Sequence, residues 1–171
     1  RGLNMKQELE KTLVTRFPQL YQDYGKNALQ YPMGWGFQCG DGWFGIIYTM
    51  SRRIADHIEA LEKSSKKKID FKFTTIKEKY GTLRAYYEGF CDDIIETAVD
   101  QAEILSNFWC ELCGDVVDVT TRDTGYIQTL CDKCFNVKRQ IKTVTKSCTL
   151  NHVDLTKNKL NKKQRHYSCR K

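Results

Sequence analysis

Two Cys-x-x-Cys pairs, Cys110/Cys113 and Cys131/Cys134, are separated by seventeen residues in the stretch CELCGDVVDVTTRDTGYIQTLCDKC. Zn²⁺ binds four soft or borderline ligands at tetrahedral angles, and a Cys-x-x-Cys turn presents two thiolates to one side of the ion. A second such turn completes the coordination sphere. Gly114, directly after the first pair, fits the tight turn that these ligands need. The spacing therefore predicts a Cys₄ zinc site.

A site with four protein thiolates leaves no coordination position for water, so we expect this zinc to be structural and not hydrolytic. The competing redox interpretation would need a lone Cys-x-x-Cys in a thioredoxin-like unit. Between the pairs, VVDVTT and GYIQTL predict two short strands around the turn from Arg122 to Gly125. This order indicates a zinc ribbon or a treble-clef-like knuckle, and the pattern does not choose between them.

The chain has eight cysteines among 171 residues, which could also indicate disulfides. Its N-terminal residues contain no apolar segment of the secretory kind, and no run of apolar residues is long enough to span a membrane. We therefore expect a cytoplasmic protein with reduced thiols and no membrane partner. Cys39 and Cys91 lie far from the two pairs, and we expect each to be a small buried apolar side chain.

Apolar residues recur at helical spacing in three segments ahead of the cysteines. Pro18 ends the first segment, a lysine-rich run follows the second, and Asp92 and Asp93 open the third as helix N-terminal acids. The helices are predicted over residues 5–17, 43–61 and 92–107.

A β-hairpin is predicted between the second and third helices. A run rich in aromatic and β-branched residues begins at Phe71, and LRAYYE follows the turn Tyr80-Gly81-Thr82. The predicted fold class is therefore α+β, with three regions along the chain. They are a small helical and β-hairpin body over residues 5–107, a zinc-ribbon or treble-clef-like knuckle over 108–137, and a basic tail over 138–171.

The net charge of +7 comes from the tail. Residues 138–171 contain eleven Lys or Arg and one acid, a net +10, whereas residues 1–137 carry −3. Such a segment suits phosphate backbones, which makes nucleic acid a candidate partner. The alternative is a merely solvated terminus, and both interpretations stay open. The candidate nucleic-acid contacts are Lys138, Arg139, Lys142, Lys162, Lys163 and Arg165.

The tail also carries Cys148, His152, His166 and Cys169, spaced as Cys-x3-His and His-x2-Cys. Their number and types suit a second zinc ion, which would explain how a lysine-rich segment becomes ordered. The alternative is that these residues are scattered along a flexible tail.

The glycine-rich loop over residues 25–42 is long for a simple connection, and long ordered loops are often functional. Its CGDGW segment and the hairpin cations could form a polar pocket for an anionic ligand, as in an enzyme or a nucleotide-binding protein, although a structural turn is the commoner explanation. We expect a non-catalytic protein, because phosphate-loop, nucleophile-elbow and metalloprotease motifs are missing and the body has only His57. The candidate ligand or partner surface is Trp35, Asp41, Trp43, Lys77, Lys79 and Arg84.

Four segments, taken in order, resemble a family of small proteins of tailed bacteriophages and prophages. They are LEKTLVTRFPQLY at 9–21, GWGFQCGDGWFGII at 34–47, IKEKYGTLRAYYEG at 76–89, and the cysteine segment at 110–134. The resemblance covers residues 5–135 and supplies no activity. It implies a phage-encoded accessory protein of the bacterial cytoplasm, with an α+β body and a zinc knuckle. By analogy with other small phage proteins, we expect it to bind a host protein in host takeover or counter-defence.

Overall fold

The computed structural model describes residues 3–123 and 125–141. Residues Arg1–Asp132 form one compact unit, and a second unit begins at Lys133. The described part of the second unit, residues 133–141, is helical. The predicted second zinc set, Cys148, His152, His166 and Cys169, lies outside the described residues, as do Lys142, Lys162, Lys163 and Arg165.

The first unit is a mixed α+β structure, which confirms the predicted fold class. Its elements are α1 (Gln7–Arg16), β1 (Phe37–Gln38), α2 (Phe44–Ser65), β2 (Phe71–Lys79), β3 (Thr82–Gly89), α3 (Asp93–Leu105), β4 (Val119–Asp123) and β5 (Ile127–Cys131). One sheet has the order β1-β2-β3, with β1 parallel to β2 and β2 antiparallel to β3, and a second sheet pairs β4 with β5. None of the described helices is long and apolar enough to cross a bilayer.

The three predicted helices and the hairpin are present, with shifted ends. Helix α2 continues to Ser65, four residues beyond its apolar stripe, because its last turn is solvated and needs no apolar residues. The predicted loop over residues 25–42 contains more structure than expected, namely a 3₁₀ turn at Pro32–Trp35 and strand β1. A two-residue strand is too short to show alternation, so it could not be predicted from the amino-acid pattern.

The core lies between helix α2 and the inner face of the first sheet and is rich in aromatic rings. The Tyr21 ring stacks on Phe73 and meets Phe37 edge-on, with centroids 5.5 and 5.1 Å apart. Its hydroxyl lies 2.6 Å from Ser51 Oγ, so the buried phenol is hydrogen-bonded. Cys39 is buried in this core as predicted. The prediction for Cys91 is wrong, because Cys91 lies exposed in the link between β3 and α3.

Helix α3 is fixed at its start by an N-cap and along its length by the edge of β3. Asp92 Oδ1 accepts the N–H groups of Ile94 and Ile95, while Oδ2 lies 2.7 Å from His57 Nε2 on α2. The edge of β3 that does not pair with β2 is hydrogen-bonded to side chains at the end of α3. The Leu83 N–H donates to Ser106 Oγ, and the Ala85 N–H donates to Glu103 Oε1. At Leu83 and Ala85, therefore, the edge N–H groups of β3 are not open to pairing with another strand.

Candidate metal centre

The first Cys-x-x-Cys pair forms a tight turn that begins at Cys110, after the short link that follows α3. The Gly114 N–H donates to the Cys110 carbonyl at 2.8 Å, and the Cys110 N–H donates to the Asp115 carbonyl at 2.8 Å. Gly114 has φ +79°, a left-handed conformation that glycine adopts without a steric cost. The second pair begins at the last residue of β5, so the β4-β5 hairpin returns the chain to the first turn.

The four predicted ligands converge. The Sγ atoms of Cys110, Cys113, Cys131 and Cys134 all lie within 4.8 Å of one another. The Cys113 and Cys131 sulfurs are 3.7 Å apart, beyond disulfide bonding and close to the roughly 3.8 Å expected for thiolates bound tetrahedrally at Zn–S distances of about 2.3 Å. The four sulfurs are therefore close enough together to hold a metal ion.

The surroundings of Cys110 favour the thiolate form of its side chain. Burial alone would raise the pKa of its thiol, but backbone N–H groups of Cys131, Cys113 and Leu112 directed at the sulfur outweigh burial and lower it. Such N–H donors to a ligating sulfur are the outer-shell contacts that orient metal-binding cysteines.

The CGDGW segment packs directly against the first knuckle. The Gly42 N–H donates to the Glu111 carbonyl at 2.8 Å, and the Trp43 indole N–H donates to the Trp109 carbonyl at 3.0 Å. A Cβ atom on Gly42 would lie 2.1 Å from the Cys110 carbonyl oxygen, and one on Gly40 2.3 Å from that of Glu111. Both glycines are therefore needed for the backbones to approach.

Glu111, inside the first cysteine pair, connects three segments. It is completely buried, and its two carboxylate oxygens accept from the Gly40 N–H and the Gln128 amide, each at 3.1 Å. Its backbone N–H donates to the Thr129 carbonyl at 2.9 Å. A buried carboxylate is tolerated only when its oxygens are hydrogen-bonded, and here the partners come from the body loop and from β5.

The turn of the β2-β3 hairpin packs on the second sheet. Thr129 Oγ1 donates to the Gly81 carbonyl at 2.6 Å, and the Tyr126 hydroxyl donates to Glu78 Oε2. A Cβ atom on Gly81 would lie 3.2 Å from methyl carbons of Thr121 and Ile127. The CGDGW and KEKYGTLR segments thus share a structural task, since each fixes the cysteine-bearing hairpin to the body.

The residues of the predicted ligand or partner surface lie in different parts of the structure. Trp43 is fully buried, so its assignment to that surface is wrong: its indole fills the core beneath the knuckle. Asp41 accepts the Lys6 N–H at 2.7 Å and the Lys6 ammonium at 3.0 Å, at the start of α1. Trp35 is 61% exposed. Lys77, Lys79 and Arg84 lie together on the hairpin face that points away from the core.

The sequence reasoning missed Glu111, Gln128 and Thr129. The signal available was the pair of glycines in CGDGW, which indicates close approach of another backbone without naming it. Of the predicted nucleic-acid contacts, the described pair Lys138 and Arg139 belong to the helical segment, and the Arg139 guanidinium lies 5.8 Å from the Phe135 ring centroid.

Known proteins provide no template for the site: no family model matches the chain, and neither curated proteins nor solved structures give a significant match.

Proposed function

We propose that this chain is a non-catalytic binding protein whose fold is held by one structural zinc ion on Cys110, Cys113, Cys131 and Cys134. The observation that carries the proposal is the convergence of four sulfurs, within 4.8 Å of one another, on a knuckle fixed to the body. Four thiolates saturate a tetrahedral ion and leave no position for a reacting water. The metal would therefore supply folding energy and no chemistry.

Zinc is the ion that the donor set favours, since all-thiolate tetrahedral sites select zinc or iron and the loop lengths match structural zinc knuckles. Within the proposed site, the first pair lies in a turn, a hairpin follows, and the fourth cysteine lies in a helical segment. This order is that of a treble clef, which we prefer to a zinc ribbon. A cytoplasmic location would keep the thiolates reduced.

Metal analysis of the purified full chain tests the zinc site. We expect one zinc per chain, with loss of zinc and of cooperative unfolding in Cys110→Ser combined with Cys131→Ser. Cys91→Ser is the matched control, because Cys91 is exposed and lies outside the cluster. A stoichiometry well below one, or a double variant that folds like the parent, would remove the zinc from the proposal.

For the partner, we propose a host protein bound by a phage-encoded accessory protein, as the resemblance of the four segments to phage and prophage proteins implies. The partner-binding role is supported by the exposed Trp35, since exposed aromatic side chains are frequent anchors of protein interfaces. Affinity purification from bacterial cells, with and without nuclease, tests this. A host protein retained after nuclease supports the proposal, and recovery of nucleic acid alone contradicts it.

The basic tail gives the main alternative, a nucleic-acid-binding regulator. Lys138 and Arg139 are its described residues, and both belong to the helical segment. Mobility assays over a salt series should compare the full chain with a chain ending at residue 137. Equal binding by the two forms would exclude the tail as the cause.

A further inference from the structure

We propose that the outer face of the β2-β3 hairpin binds single-stranded nucleic acid. This outer face consists of Lys77, Lys79, Arg84 and Tyr86, continued at the turn by Tyr80. Lys77 lies opposite Arg84, and Thr75 opposite Tyr86, so their side chains share one side of the sheet. The site goes beyond the proposed zinc-stabilised host-protein binder, and none of its residues belongs to the proposed metal site.

The opposite side of the same strands is the core side, which fixes the orientation of the outer face. Ile76, Leu83 and Ala85 alternate with the outer-face residues and are buried. Because successive side chains of a strand point to opposite sides, the three cations and Tyr86 point away from the core. Tyr80 lies in the turn, where its ring is largely exposed. The positions are therefore set by the fold and not by flexible loops.

The outer face carries positive charge that is available to a ligand. Within the described part of the chain, neither Lys77 nor Lys79 forms an ion pair. The Arg84 guanidinium is 3.4 Å from Glu103, a longer contact at the edge of the sheet. Lysines two apart on a strand lie about 6.6 Å from each other, so they form a short cationic row along the hairpin.

Aromatic rings accompany the lysines. The Lys77 ammonium lies 5.4 Å from the centroid of Tyr86, and the Lys79 ammonium 5.6 Å from that of Tyr80. The two rings are 44% and 72% exposed. Tyr80 also adopts φ +55° in a two-residue turn, where asparagine or glycine would meet less strain. A bulky exposed ring at a strained position is a feature that stability alone does not explain.

Single-stranded nucleic acid is the partner that this combination fits. Cations attract the phosphate backbone, and exposed aromatic faces stack on unpaired bases whatever their sequence. An acidic protein would use the same charges, but the cores of protein interfaces are depleted in lysine. A duplex would hide its bases from Tyr80 and Tyr86, so we expect single strands to bind better than duplexes.

Fluorescence anisotropy of the full chain with labelled oligothymidylate and oligouridylate, over a salt series, tests the proposal. For Lys77→Glu combined with Lys79→Glu we expect binding to weaken about tenfold or more, and the slope of log affinity against log salt to become shallower by about 1.4 for two lost phosphate contacts. Tyr86→Ala should weaken binding about fivefold or more, whereas Tyr86→Phe should bind like the parent because stacking is kept. The two oligonucleotides decide between DNA and RNA as the preferred ligand.

The matched control is Lys67→Glu combined with Lys68→Glu, which makes the same charge change in the exposed run after α2. Zinc content and melting temperature verify folding, and Lys77→Gln with Lys79→Gln replaces the reversed pair if that pair is unstable. Equal weakening by the two charge-reversed pairs overturns the proposal, because it shows bulk attraction only. Parent-like binding by the Lys77/Lys79 variant also overturns the proposal, because the nucleic acid must then bind to another surface. Absence of oligonucleotide binding by the parent also overturns the proposal, and a protein that stays bound to the chain after nuclease treatment would then be the partner to pursue.

Discussion

Gly42 lies where the body and the first knuckle come closest. Its N–H donates to the Glu111 carbonyl, and its α-carbon faces the Cys110 carbonyl oxygen, which a Cβ atom would meet at 2.1 Å. That contact is far shorter than any that real Cβ atoms make, and the opposing atoms are backbone atoms of a metal-ligating turn. A single methyl group therefore cannot be accommodated unless the knuckle moves.

Gly42→Ala should lower the free energy of unfolding by about 1–3 kcal/mol, the range of overpacked sites, and should weaken zinc retention against a chelator. Gly45→Ala is the control. A Cβ atom there meets nothing within 4 Å, and alanine in an exposed helical turn should gain up to about 1 kcal/mol. Urea unfolding and chelator competition measure the two effects. Equal stability of the two variants would refute the close packing.

Asp23 is a second residue whose role depends on its partners. It is buried, and its carboxylate contacts the ammonium groups of Lys26 at 2.6 Å and Lys72 at 2.8 Å. The hydrogen bonds from Lys26 and Lys72 lower the pKa of Asp23, although burial opposes them. Because the folded state holds the ionised form, this group contributes stability above the ordinary aspartate pKa of about 3.9 and loses it as pH falls through the lowered folded value.

Asp23→Asn should therefore be less stable than the parent at pH 7, and the difference should shrink as the pH falls below about 4. Asp56→Asn provides the comparison, since Asp56 is exposed and its pair with Arg52 is long at 3.6 Å. Surface pairs of that kind contribute little, so this variant should have nearly the same stability as the parent. Urea unfolding at several pH values measures both. A stability difference between Asp23→Asn and the parent that stays constant with pH would contradict this role for the Asp23 carboxylate.

At the scale of elements, the β2-β3 hairpin has two sides with different tasks. Its turn packs on β4 and β5 through Gly81 and Thr129, while its outer face presents lysines and tyrosines. Lys79 pairs with Thr82, so Tyr80 and Gly81 are the two turn residues, and both have positive φ as a type I′ turn requires. Only the second of these residues is of a type that prefers this conformation.

Tyr80→Asn should stabilise the hairpin by about 0.5–1 kcal/mol, because asparagine tolerates the left-handed conformation better than tyrosine. The same change removes an exposed ring, so under our proposal it should also weaken oligonucleotide binding. Thermal unfolding and anisotropy would show the two changes in opposite directions. Gly81→Ala should instead lower the stability, because residue 81 has φ +79° and an added Cβ atom would crowd Thr121 and Ile127. Destabilisation by Tyr80→Asn would contradict this description of the turn.

At the scale of the whole molecule, the cysteine-bearing hairpin and the body belong to one compact unit, Arg1–Asp132. The residues on both sides of the boundary predicted at 107/108 therefore lie within that unit. Trp43 is buried in the body and bonded to the carbonyl of Trp109, immediately before the first ligand. Loss of metal from the proposed zinc site should accordingly disturb the body as well as the knuckle.

Removal of zinc by a chelator should lower the melting temperature and shift tryptophan emission to longer wavelength, as water reaches Trp43 and Trp109. Readdition of zinc should reverse both changes, because metal binding contributes folding free energy. The Cys91→Ser variant should respond to the chelator like the parent. Unchanged emission after complete zinc loss would mean that the body holds its structure without the knuckle.

Features that depend on local spacing could be predicted from the amino-acid sequence. Helical periodicity predicted α1, α2 and α3, with Asp92 at the start of α3, and the two Cys-x-x-Cys pairs predicted four sulfurs that converge. The roles of CGDGW and KEKYGTLR, in contrast, depend on contacts with segments that are distant along the chain. Gly42 meets Cys110 across sixty-eight positions of chain, and Gly81 meets Thr129 across forty-eight. A glycine in a sequence can indicate that another backbone segment approaches closely. Which segment approaches depends on how distant elements pack, and local sequence patterns do not encode that packing.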